Sequence, residues 1–169
     1  MLTLLLKKHA DGRTAFTLER ADGSRTWQRQ ERHAAFFAAH DLTHFAVESC
    51  LALREAFYGL VAAGWDFDDF LPPYPRGPLP AEALWAETLV GLLDVERGTT
   101  APGDHLMPAD GFNAQLRDKL AAATLALPHT LEESELTAIR AQRDALIAQW
   151  QALPPGETMR LTLATGRPS

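Results

Sequence analysis

Residues 38–64 read AAHDLTHFAVESCLALREAFYGLVAAG, and the fold turns on them. The segment is apolar nearly all round when wound at about 100° per residue, the mark of a buried central helix rather than a surface one. The apolar pattern begins near residue 31 and predicts one long helix over 31–63, straight or kinked, weakened towards its end by Gly59 and Gly64. Phe36, Leu42, Phe45, Val47, Leu53, Phe57 and Leu60 fill most of its circumference. His33, Phe37, His40, His44, Glu48, Leu51, Glu55 and Tyr58 share the remaining flank, a polar stripe expected to face an internal cleft.

Working outward, residues 1–30 predict an antiparallel meander. Asp11-Gly12 and Asp22-Gly23 are hairpin dipeptides, and they separate LTLLLKK, RTAFTLER and SRTWQRQ. Phe16 and Leu18 alternate with Thr17 and Glu19, the period of a half-buried strand. Residues 64–80, GWDFDDFLPPYPRGPLP, are barred by their prolines from regular structure. A helix is expected over 80–96, with Leu84, Trp85, Leu89, Leu92 and Leu93 on one side. After a loop over 97–110, Asp110 is expected to cap a helix at 111–126. A capping box of Thr130 with Glu133 is expected to open a last helix. Leu136, Ile139, Leu146, Ile147, Trp150 and Leu153 give it one apolar face, and Pro154-Pro155-Gly156 stops it. ETMRLTLAT then alternates Met159, Leu161 and Leu163 with Arg160 and Thr162, as a strand returning to the N-terminal sheet would. The expected class is α+β: a small antiparallel sheet, the N-terminal meander plus a C-terminal strand, packed on a helical bundle around a long buried helix. The whole of 1–169 is expected to be one domain.

The 169 residues carry a net charge of −6, are 46% hydrophobic and 22% charged, and contain no basic run. Nucleic-acid binding needs clustered Lys and Arg, so no nucleic-acid partner is expected. No apolar stretch reaches the roughly 20 residues of a membrane span, and MLTLLLKKHADG lacks the order of a signal peptide. A cytoplasmic protein with no membrane partner is the expectation. Cys50 is the single cysteine; it precludes an intrachain disulfide and reads as a small buried hydrophobe.

The chemistry lies in HDLTHFAVE, residues 40–48. Residues four apart stack on one helix face, so His40 and His44 present two imidazoles able to share a divalent ion. Zinc or another divalent transition metal suits nitrogen ligands; calcium and magnesium prefer oxygen shells. The metal set expected is His40, His44 and Glu48, with Asp41 and Glu48 as candidate catalytic carboxylates. Reach limits this set. At 1.5 Å of rise per residue, Glu48 stands about 12 Å along the axis from His40 and about 9 Å from an ion midway between the imidazoles. Either the helix bends, or Glu48 supports His44 from behind, or further ligands come from elsewhere. Candidates are Asp66, Asp68, Asp69, Glu82, Glu87, Asp104 and His105, with Glu82 the more inward-facing glutamate of its helix. His33 reads as a surface histidine, and His9 and His129 as solvated.

HDLTH is close to the HExxH of zinc peptidases, with the shorter Asp41 in the place of the glutamate base. AAHDLTHFAVESCLALREAFYGLVAAGWDFDDF also resembles a group of small, uncharacterised bacterial proteins that carry HDLxHFxVE followed by FxGLxAxGxD, a likeness that implies no particular activity. More weakly, HDLTH is similar to the HDxxH of the zinc-containing ubiquinone-biosynthesis scaffold family. That family places a glutamate after eleven intervening residues; here Ala56 holds the position and Glu55 comes one residue early.

The function expected is divalent-metal binding that supports hydrolysis or another water-dependent step on a small-molecule ligand. Two other classes compete. One is a non-enzymatic scaffold or binding protein that encloses a hydrophobic small molecule among Phe36, Phe37, Phe45, Phe57 and Tyr58. The other is a structural domain whose histidines and carboxylates form a buried hydrogen-bonded network.

Overall fold

Asp11 and Asp22 shape the two N-terminal turns by accepting the amides of Arg13 at 3.1 Å and Ser24 at 2.9 Å. In the computed structural model, which describes residues 1–31, 33–101, 104–126 and 128–164, these turns join β1 (Leu2–Lys8), β2 (Thr14–Arg20) and β3 (Arg25–Gln30). The chain continues through α1 (Ala34–Cys50), α2 (Phe57–Ala62), a 3-10 turn at Phe67–Phe70, α3 (Ala81–Thr99), α4 (Ala109–Ala122) and α5 (Glu133–Ala152). It then closes on β4 (Thr158–Leu163). The sheet runs β3-β2-β1-β4, antiparallel throughout. The fold is α+β, with the C-terminal strand returned to the N-terminal meander as its alternation predicts.

One face of the sheet is apolar. Leu2, Leu4 and Leu6 of β1 pair with Leu18 and Phe16 of β2 and with Met159 and Leu163 of β4, all buried. Against it lie Ala38, Leu42, Phe45 and Ala46 of α1, Tyr58 and Val61 of α2, and Leu146, Ile147 and Trp150 of α5. A second core gathers Val47 of α1 with Trp85, Leu89 and Leu93 of α3, Phe112 and Leu116 of α4, and Leu136 and Ile139 of α5. Helix α1 thus contributes to both cores, and removing a side chain such as Leu42 would cost about 2–5 kcal/mol.

The long helix expected over 31–63 is divided. Helix α1 ends at Cys50, Ala52 takes a left-handed φ of 51°, and α2 restarts at Phe57. Glu55 and Tyr58 therefore leave the flank of His40 and His44. Two glutamate side chains hold the break, one from α3 and one from the last turn of α1. Glu82 of α3 accepts the amides of Arg54 and Glu55, and Glu48 accepts the amide of Tyr58 at 2.8 Å. The Tyr58 amide, in the first turn of α2 and without a partner inside the helix, is thus satisfied by a glutamate, and the amides of Arg54 and Glu55 just before the helix by another. Gly59 makes the close approach possible: a Cβ there would lie 2.1 Å from the Arg54 carbonyl oxygen.

Other local expectations shift by a residue or two. Helix α5 opens with a capping box of Glu132 and Glu135, not Thr130 and Glu133. Glu133 instead accepts the amide of Ala109 at 2.7 Å, at the start of α4, where Asp110 lies in the first turn and not at the cap. Cys50 is exposed rather than buried, its Sγ 2.9 Å from Gln142 Oε1. Phe36 and Phe37 are 50% and 42% exposed, so the apolar girdle of α1 opens at its N-terminal end. Among the described residues, no helix is long and apolar enough to cross a membrane.

Candidate metal centre

His40 and His44 sit one turn apart on α1, their ring centroids 4.8 Å from each other. Each ring is held through Nδ1 by a carboxylate. His40 Nδ1 is 2.8 Å from Asp94 Oδ2, and His44 Nδ1 is 3.3 Å from Glu48 Oε1. Both Nε2 atoms are thereby left facing Glu87 of α3, whose carboxylate oxygens lie 3.0 Å from His44 Nε2 and 3.9 Å from His40 Nε2. One ligand atom each from His40, His44 and Glu87 falls within a mutual 4.8 Å, so these three side chains could hold a metal ion. Phe36 stacks on the outer side of the His40 ring, with centroids 6.0 Å apart and planes 20° from parallel.

Burial is graded across the site. The side chains of His44 and Glu48 are 7% and 0% exposed, that of His40 is 20% exposed, and that of Glu87 is 62% exposed. The group is closed on the Glu48 side and open on the Glu87 side.

Without an ion, the excess of carboxylates falls on the imidazole between them. Burial disfavours a charged His44, but the hydrogen bonds to Glu48 and Glu87 outweigh it and raise its pKa to about 10. The His44 contact in turn holds Glu87 below the usual glutamate value. Burial pushes Glu48 up, opposed by His44 and by the amide of Tyr58.

The other residues singled out in the sequence separate clearly. Asp41 is buried and turned towards the sheet: its Oδ2 accepts from Gln30 Nε2 at 2.8 Å, while its backbone carbonyl accepts from the Tyr58 hydroxyl at 2.7 Å. Burial raises the Asp41 carboxyl to about 6. Glu48 stands behind His44 and spends its second oxygen on the start of α2. Glu82, expected to be the inward glutamate of its helix, accepts the Arg54 and Glu55 amides in the segment before α2, and Glu87 is the one that meets His44. The loop acids go elsewhere: Asp66 pairs with Arg20, Asp69 pairs with Arg76, and Asp104 accepts the Ala101 amide. His33 is exposed at the N-cap of α1, and His129 pairs with Glu135.

Asp94 was not foreseen. It lies seven residues after Glu87, on the same face of α3, as a lone acid in the run LVGLLDV. An acid so placed, two turns from a second one, is a signal the sequence carries.

The chain matches no family model, no curated protein and no solved structure.

Proposed function

We propose that this protein binds a divalent transition metal, best suited to zinc, through His40 Nε2, His44 Nε2 and the Glu87 carboxylate. The observation that carries the reading is the common orientation of the two imidazoles: each has Nδ1 tied to its own carboxylate, and both turn Nε2 to the same third carboxylate. Supporting carboxylates of this kind fix the tautomer and direction of metal-binding histidines and raise their basicity. Two nitrogens and one carboxylate oxygen suit zinc and its neighbours, and three protein ligands leave a position open for a small molecule.

Charge balance points the same way. Glu48, Glu87 and Asp94 converge on two histidines, and a divalent cation would supply the positive charge that a proton on His44 supplies without it. In this reading Glu48 holds His44 and the end of the helix break, while Asp41 serves the packing of α1 on β3. The open side, at Glu87, is where a small-molecule substrate would approach, and hydrolysis or another water-dependent step is the activity such a site would support.

The test is elemental analysis of protein purified without chelator or an affinity tag, followed by zinc titration of the chelator-treated chain. About one transition metal per chain is expected. A metal-free protein that does not bind zinc on titration would overturn the proposal and leave the five side chains as a buried ion-pair network.

A further inference from the structure

A second feature lies on the other side of Phe36. A cavity of about 560 Å³ opens between the β1–β2 turn, the N-terminal end of α1, α3 and α5. That volume is of the size that takes a small organic molecule. Its walls are apolar and partly aromatic, from Phe36, Ile147 and Trp150, and its polar lining includes His9 and Arg97. Two nitrogens here are buried without a hydrogen-bond partner among the described residues: His9 Nε2 and Arg97 Nε. His9, expected in solvent, is half-buried in this lining. A buried polar nitrogen left unpaired costs about 1–3 kcal/mol, so a ligand group that reached either one would gain by pairing it.

The charge of the lining is one-sided. Lys8, His9 and Arg97 contribute, and no Asp or Glu does among the described residues, in a chain whose net charge is −6. The Lys8 ammonium is already engaged with the carbonyls of Trp150 at 2.6 Å and Leu153 at 2.8 Å, at the end of α5. It supplies field rather than a free hand. Arg97 is less committed: its Nη2 reaches Asp94 Oδ1 at only 3.5 Å. A guanidinium offers paired donors that match a carboxylate.

We infer that this cavity is a binding site for a small organic carboxylate with a flat apolar body, the carboxylate on Arg97 and His9 and the body against Phe36 and Trp150. The site adjoins the candidate metal centre, since Phe36 stacks on His40 and Asp94 contacts both His40 and Arg97. It does not depend on a metal being bound.

The experiment is calorimetric titration of the chelator-treated full chain with phenylacetate, so that a failure of the metal reading leaves it untouched. Saturable binding is expected, with a dissociation constant on the order of 1 mM or tighter. Acetate, which lacks the body, and phenethylammonium, which reverses the charge, should each bind at least about tenfold more weakly. Arg97→Gln removes the charged fork and should weaken phenylacetate by about tenfold or more. Ala35→Trp, at an exposed position of the lining, should block entry without touching a charged group, and it carries the test if Arg97→Gln fails to fold by circular dichroism. No saturation with phenylacetate, equal binding of phenethylammonium, or unchanged affinity in a folded variant of either kind would each overturn the assignment.

Discussion

Glu87 on α3 places Oε2 3.0 Å from Nε2 of His44 on α1, joining two helices across 43 positions of sequence. The relationship brings the third side chain of the candidate centre from a different helix, as the limit on reach along a single helix requires.

Substitutions at Glu87 and Glu82 should therefore behave differently. Glu87→Gln removes a charged ligand, and zinc affinity, read by competition with a chromogenic chelator, should fall by more than about 100-fold. Glu82→Gln disturbs the start of α2 and should leave affinity within about threefold in a folded protein, because Glu82 touches neither imidazole. His33→Ala, at the exposed N-cap, should also leave zinc binding unchanged. Equal loss in all three variants would show that His40, His44 and Glu87 do not act as a unit.

Asp94→Asn tests the support of His40. The amide keeps the size but loses the charge that holds Nδ1, so zinc affinity should drop by roughly 10–100-fold while the apo protein stays folded. Unchanged affinity would sever Asp94 from the centre.

The pH dependence has opposite signs with and without metal. A folded pKa raised from 6.5 to about 10 means that the native state binds the His44 proton more tightly than the unfolded chain does. That contribution to stability is complete below pH 6.5 and is lost as pH rises towards about 10. Zinc must displace the same proton, so its affinity should increase over that window. Thermal melts of chelator-treated wild type between pH 6 and 10 should decline relative to His44→Gln, while zinc titrations should tighten. Parallel melting curves for the two proteins would refute the assignment of the proton.

Asp41 offers a contrast. Burial raises its carboxyl to about 6, so stability should fall as pH rises from about 4 to 6, and Asp41→Asn should remove that slope. The variant should keep zinc affinity, since the Asp41 carboxylate is bonded to Gln30. A large loss of zinc affinity in folded Asp41→Asn would return Asp41 to the site.

Gly59→Ala should destabilise by about 1–3 kcal/mol in denaturant unfolding, since its Cβ meets the Arg54 carbonyl in the short segment between α1 and α2. Alanine is the better helix former, so a neutral or stabilising result would show that the segment yields easily.

The sheet was legible because its signals are local. Asp-Gly turns and the alternation of Phe16, Leu18, Met159 and Leu163 each act within a few residues, and the strands follow them. The break after Cys50 was not legible. No proline or glycine marks it, and its amides are satisfied by Glu82, which lies on another helix. The same physics divides the site. His40 and His44 announce themselves by spacing, whereas the choice of Glu87 over Glu82 depends on how α3 is rotated against α1. Asp94 appears only as an acid in an apolar run.

The sheet order has a consequence for synthesis. Strand β1 pairs Leu4 with Leu18 on one edge and with Leu161 on the other. The first partner follows Leu4 by 14 positions in the chain, the second by 157. Until then an apolar strand presents an unpaired edge, the kind that recruits neighbouring chains. Over that interval the growing chain carries an adhesive edge, and a truncation before Thr158 would make that state permanent.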